Sequence, residues 1–368
     1  MEDRKIRVAI THGDTNGIGY ELIFKTFEDP AMFDLCTPVI YGSPKVATYH
    51  SKALNIQANF SIVANAGDAQ DGRLNMLAAF EDDVKVEFGK PSEESGMAAL
   101  KAVDRALEDY SKGLVDVIVT APVENNEVFR FSGQPLYIAD HLVTGVPSKG
   151  SMSVLCGDRL RVALATRNLP LRQVADSLSL EFVNDTVKSL HHTLRRDFLI
   201  TNPRIAVLAL NPKAGDDGII GSEENELLKP VISSLVEEGI QVYGPYPADT
   251  FFDEGFHGSF DVVLAMYYDQ GMMPFRMIEG EDGVQFESYM PVVCTSPTDG
   301  VRFDIAGTGN ANPSSMRHAV YLAVDIFRNR KFYDESYSNP LKKLYKERRD
   351  ESEKVRFAVP KPREDVKH

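Results

Sequence analysis

The chain has 368 residues, 43% of them apolar, and a formal net charge of −14. That length suits two domains with sizeable cores. The acidic balance argues against a general nucleic-acid or anionic-membrane binder, but it leaves room for a cationic pocket that takes a small anion.

Three widely spaced cysteines, Cys36, Cys156 and Cys294, form neither a disulfide framework nor a zinc pattern and fit a reducing cytosol. The charged start, residues 1–7, and the lack of an apolar run of spanning length point to a cytoplasmic protein without a signal peptide.

Residues 6–10 read as a buried first strand. It ends in Thr11-His12-Gly13-Asp14-Thr15-Asn16-Gly17-Ile18-Gly19, and a helical pattern begins near Tyr20. Strand, glycine-rich turn and helix together offer backbone N–H groups to an anion. The spacing is neither the dinucleotide fingerprint nor a P-loop, and tight-turn geometry explains the glycines equally well. A second strand covers 38–41 and a helix 44–53. Residues 60–88 mix short strands with polar turns. Ser92 then caps a helix whose Met97, Leu100, Val103 and Leu107 recur at core spacing.

Residues 115–119 form another buried strand, stopped by Thr120-Ala121-Pro122. The irregular stretch 124–150 holds His141, which reads as a packing or surface residue. Residues 154–156 and 161–165 read as a hairpin around Gly157-Asp158. Thr166-Arg167-Asn168-Leu169-Pro170 follows, then helices over 171–178 and 180–196. His191 and His192 on the second helix point to different faces and make no ligand pair.

The strand 204–210 ends in Asn211-Pro212-Lys213-Ala214-Gly215. Glu223 and Glu224 then open a helix, where carboxylates complement the dipole. After a short strand at 241–243, the apolar run 262–266 suits a strand buried on both faces, and it feeds a loop, Tyr267-Tyr268-Asp269-Gln270-Gly271. Residues 284–291 cross to Thr295-Ser296-Pro297. Asn312 caps a last core helix with Pro313 at its first position.

Strands alternate with helices, so the expected fold is α/β, with two domains of largely parallel sheet, helices on both faces and a cleft between the domains. Residues 1–130 with 300–345 would form the first domain, 131–299 the second and 346–368 a charged tail. Ligands bind outside the carboxyl ends of strands in such sheets. Four strand ends share one pattern, at Thr120-Pro122, Thr166-Pro170, Asn211-Gly215 and Tyr267-Gly271, and are expected to line one cleft. Basic candidates there are Arg167, Lys213, Arg276 and Arg302. Acidic ones are Asp249, Asp269, Asp299 and Asp304. Each alone is better explained by a structural ion pair than by a ligand role; the group is the stronger signal.

The motifs Gly13-Asp14, Thr120-Ala121-Pro122-Val123, Asn211-Pro212 with Ala214-Gly215, Pro247-Ala248-Asp249-Thr250, Met266-Tyr267 with Asp269-Gln270-Gly271, and Asp304-Ile305-Ala306-Gly307 occur in order. On them the chain resembles the 4-hydroxythreonine-4-phosphate dehydrogenase family of vitamin B6 biosynthesis, from about residue 6 to 330. The resemblance implies an isocitrate dehydrogenase-like fold and a homodimer. It also implies NAD bound without the usual glycine fingerprint, and a small phosphorylated or anionic substrate. A divalent metal held by three histidines would polarise the reacting oxygen.

At those three positions this chain has Asn168, Lys213 and Tyr268. The family's Gly-His-Thr-Glu is Gly133-Gln134-Pro135-Leu136, its later Asn is Gln285, its Arg before Thr-Ser is Cys294, and its Lys is Arg276. The resemblance therefore assigns candidate catalytic roles to Lys213, Asp249 and Asp269. It assigns substrate contacts to Gln134, Pro135, Arg276, Gln285 and Cys294, and cofactor contacts to Gly13, Asp14, Thr120 and Asp304. No metal ligand is assigned. Two readings stand: the family's dehydrogenase, or a catalytically altered or inactive relative that binds a small phosphorylated ligand without the three-histidine site.

Overall fold

A computed structural model describes residues 4–80, 84–123 and 151–339. Gln134, Pro135, His141 and the charged tail lie outside the described residues. The strands are β1 (Arg7–Thr11), β2 (Thr37–Gly42), β3 (Phe60–Val63), β4 (Leu74–Ala78), β5 (Val117–Thr120) and β6 (Met152–Cys156). They continue with β7 (Arg161–Leu164), β8 (Ile205–Leu208), β9 (Val242–Tyr246), β10 (Val262–Ala265), β11 (Val284–Ser288) and β12 (Val293–Pro297). The α-helices are α1 (Gly19–Thr26), α2 (Met32–Leu35), α3 (Pro44–Ala53), α4 (Glu93–Ser111) and α5 (Leu171–Ser177), then α6 (Leu180–Arg196), α7 (Lys229–Glu237), α8 (Ala248–Asp253), α9 (Tyr268–Glu279) and α10 (Ser314–Ser338).

All the strands join one sheet in the order β3-β4-β2-β1-β5-β12-β11-β6-β7-β10-β8-β9. The block from β3 to β12 is parallel, as is the block from β7 to β9. Between them β11 pairs antiparallel with β12 and β6, and β6 pairs antiparallel with β7. Three reversals set the blocks in opposite senses, so their carboxyl ends lie at opposite edges of the sheet.

One face carries a continuous core, including Val8, Val119, Phe286, Val154, Val207 and Leu264. Helix α10 packs on it over β5, β12 and β11. The other face has two separate cores. One joins Ala9, Val39 and Ile118 to Ala102 and Val103 of α4. The other joins Leu155, Val162 and Val263 to Phe251 of α8 and to Met272 and Phe275 of α9. In the gap between them, the same face of β12, β11 and β6 carries Ser296, Gln285, Glu287 and Ser153. Alternation along a strand explains this: Val284 and Phe286 face the continuous core, and Gln285 and Glu287 face the gap.

The expected hairpin forms between β6 and β7, and Ser92 caps α4 by accepting a bond from the Ser95 amide at 3.2 Å. Asn312 accepts from the Ser314 amide at 3.1 Å, with Pro313 rather than Asn312 at the N-cap position. Two features differ from expectation. Residues 293–297 form a strand of their own. The stretch after β10 is not a loop but the start of α9, despite Gly271 and Pro274. Gly271 is there because α9 lies close on the sheet: an added Cβ would stand 2.6 Å from Leu164 and 2.8 Å from Val162. No described helix is long and apolar enough to cross a membrane.

Candidate functional site

A cleft of about 740 Å³ crosses the gap between the two cores. It runs from the ends of β5 and β12, at Thr120 and Thr298, to the ends of β7 and β10, at Arg167 and Tyr268. The cleft thus spans the middle strands, from the carboxyl ends of one parallel block to those of the other.

The floor is polar and hydrogen-bonded. Glu287 is 4% exposed. Its Oε1 accepts from Ser153 Oγ at 2.7 Å and from Gln285 Nε2 at 2.7 Å. Its Oε2 accepts from Arg167 Nη1 at 2.6 Å, and the same Nη1 donates to Ser153 Oγ at 2.6 Å. Register places Glu287 directly between Cys294 on β12 and Ser153 on β6. Burial pushes the Cys294 thiol well above its ordinary pKa, so it stays a neutral wall.

At the other end, Arg276 Nη2 donates to the Thr298 carbonyl at 3.0 Å. Among the described residues Arg276 makes no ion pair. Asp299 lies beside it, and burial raises the Asp299 carboxyl while a bond from Ser315 Oγ holds it down. Asp269 lines the cleft from the first turn of α9. Behind it, Gln270 Oε1 accepts from the Met266 amide at 2.7 Å and its Nε2 donates to the Ala209 carbonyl at 2.6 Å, tying the ends of β10 and β8 together. Thr166 Oγ1 donates to the Met266 carbonyl at 2.7 Å.

The structure brings together Thr120, Asn168, Tyr268, Asp269, Arg276, Gln285 and Cys294. Gly13 and Asp14 are buried behind the wall: the Asp14 amide donates to the Pro122 carbonyl at 2.8 Å, and the Asp14 carboxylate accepts from the Asn16 amide and Ser95 Oγ. Asp304 is exposed and paired with Arg302 at 3.0 Å, which holds its carboxyl below the usual range.

Lys213 and Asp249 are exposed and do not line the cleft. The strand end after β8 was expected in the lining and is not there. It turns through Lys213, Ala214, Gly215, Asp216 and Asp217, all at positive φ. Glu223 and Glu224 do more than complement a dipole. Glu224, fully buried, accepts from the Asn211 amide at 2.7 Å, and Asn211 Nδ2 donates to Glu223 at 2.7 Å. The sequence reading left Ser153 and Glu287 unassigned; the polar–apolar alternation of 284–287 is the signal that points to Glu287.

The donor set does not fit a three-histidine metal centre. Asn168 and Tyr268 line the cleft, Lys213 does not, and an ammonium has no lone pair to give. Among the described residues, no three His, Cys, Asp or Glu side chains are grouped to hold a metal ion.

Residues 34–323 match the family described as "Pyridoxal phosphate biosynthetic protein PdxA". The chain belongs to the PdxA family. A curated 4-hydroxythreonine-4-phosphate dehydrogenase from Bacteroides thetaiotaomicron is 49% identical, covering 97% of this chain and 98% of the relative. Another of the same name, from Desulforapulum autotrophicum, is 33% identical over 88% of this chain and 96% of its own length. The crystal structure of a 4-hydroxythreonine-4-phosphate dehydrogenase from Klebsiella pneumoniae superposes with a TM-score of 0.74 at 29% identity, covering 89% of this chain and 99% of that one. The PdxA fold is therefore the mixed α/β architecture described above.

Proposed function

We propose that this PdxA protein is an NAD-dependent dehydrogenase that oxidises the alcohol of 4-hydroxythreonine 4-phosphate. The carrying observation is the 49% identity across nearly the whole chain with a curated enzyme of that name. The cleft supports it. Arg276, bonded only to a carbonyl among the described residues, would hold the phosphate, with Gln285 beside it. Asp269 would take the alcohol proton. Thr120 at the rim, the turn held by Gly13 and Asp14, and the exposed Asp304 would hold NAD, a carboxylate suiting ribose hydroxyls. When bound, NAD accepts the hydride. Lys213 and Asp249 remain candidates from outside the lining. A cytoplasmic homodimer of two lobes, 1–130 with 300–345 and 131–299, belongs to the same reading.

The unfit metal donor set favours a second reading, a catalytically altered relative that binds the phosphorylated ligand without turning it over. The test is NADH formation by the purified protein with 4-phosphohydroxythreonine, alongside thermal shifts with substrate and with NAD. Turnover is expected. Thermal shifts without turnover would establish the second reading, and the absence of both would remove the two together.

A further inference from the structure

The group Arg167, Glu287, Ser153 and Gln285 is more elaborate than a structural ion pair requires. A buried ion pair costs desolvation, and apolar residues of similar size commonly stabilise as well or better. Yet here four polar side chains from β6, β11 and the end of β7 converge on the floor of a cleft, not inside a core. The Glu287 carboxylate accepts from three donors on three different residues. What it does is fix Arg167. Nη1 is held by both Ser153 and Glu287 at 2.6 Å. Two bonds on one nitrogen of a planar guanidinium set the orientation of the whole fork. The Arg167 side chain keeps 17% exposure and lines the cleft.

Resting on the functional reading above, we propose that Arg167 is a specificity-determining residue that holds the substrate carboxylate, with Glu287 and Ser153 as its positioning residues. The cleft has an arginine toward each end. Arg276 is bonded where β12 meets the start of β11, near Gly283, and Arg167 is bonded at Glu287. These points are four residues apart along the strand, roughly 14 Å, and both arginines line the space between. Arg276, with no ion pair among the described residues, matches a dianionic phosphate. Arg167, ion-paired with Glu287, keeps a planar guanidinium at the cleft, and that geometry suits a planar carboxylate. A phosphorylated hydroxy acid carries one group of each kind.

The experiment compares binding, by calorimetry, of two probes: 4-phosphohydroxythreonine and the amino alcohol phosphate that lacks only its carboxylate. The wild-type protein should prefer the carboxylate-bearing probe by about tenfold or more. Arg167→Met should erase that preference and leave affinity for the second probe unchanged. Because R167M leaves Glu287 buried without its partner, the R167M/E287Q double variant, which removes both charges, is measured beside it and should lose the preference equally. Glu287→Gln should weaken the preference without abolishing it, and Arg167→Lys should restore part of it. Retained preference in both methionine variants overturns the proposal and leaves the functional reading standing. Equal loss for both probes also overturns it, since Arg167 would then serve the phosphate. If the wild-type protein binds neither probe, the functional reading itself falls and the assignment of Arg167 with it.

Discussion

Gly13 has a φ of 74°, and an added Cβ would stand 2.4 Å from the Pro122 carbonyl oxygen and 2.9 Å from the Ala121 carbonyl carbon. Both contacts are backbone, so nothing flexible can give way. Gly13→Ala is expected to destabilise the protein by about 2–4 kcal/mol in urea denaturation, through strain at positive φ and displacement of the β5 end. A cost within error of zero would show that the turn can relax. This glycine was legible as a tight turn, but its reason, the approach of a distant strand end, was not. The same limit applies to Glu287 and Lys213. A motif reading looks at strand ends, whereas Glu287 lies within a strand and shows itself only by alternation. Lys213 looked like a cleft residue because Asn211-Pro212 ends a buried strand, but the six positive-φ residues that follow were not foreseeable from composition.

Helix α10 was expected from its apolar spacing, and Val320, Ala323 and Val324 are indeed buried. Its last turns do something the spacing does not announce. Arg330, near the end of the apolar stripe, is only 5% exposed. It donates to Asp197 through Nε at 2.7 Å and Nη2 at 3.1 Å, and to the Met290 and Pro291 carbonyls through Nη1 at 2.9 and 3.0 Å. One guanidinium therefore joins α10, the residue that ends α6, and the connection between β11 and β12. Removing a partner from a buried ion pair strands the other charge. Arg330→Met is expected to lose about 3–5 kcal/mol by denaturant unfolding. The neutral pair R330M/D197L should recover much of that; if it does not, the cost lies in the two carbonyls rather than in Asp197. Helices and strands could be placed because periodicity is local. Ties of this kind join residues from 39 to 133 positions apart, and only the folded chain shows them.

Across the whole molecule, one face of the sheet is a continuous core and the other is split, with the cleft in the split. The α/β class followed from alternating elements, but the single sheet and its opposed blocks depend on β12, which was too short and polar to read as a strand. The continuous core also encloses two histidines. His12 stacks on Tyr20 at 5.3 Å between ring centroids, and His50 lies 4.9 Å from the same ring with its Nε2 2.8 Å from the Thr15 carbonyl. Burial lowers both to about 4; the proximity of His50 lowers His12 further, and backbone hydrogen bonds oppose the shifts.

Both histidines therefore fold as neutral rings. Between pH 6.5 and 4 the unfolded chain binds more protons than the folded one, so stability falls as pH is lowered through that window. By pH 5 the loss should be on the order of 2 kcal/mol per histidine. Asp299, raised by burial, acts in the opposite sense, while Asp304 and Asp334, lowered by arginines, add their losses below the ordinary carboxylate range. Urea unfolding at pH 7.5 and pH 5 should show the drop, and His12→Phe should remove its own share of it. An unchanged pH dependence in that variant would mean that His12 is already protonated in the folded state or that the slope comes from carboxylates.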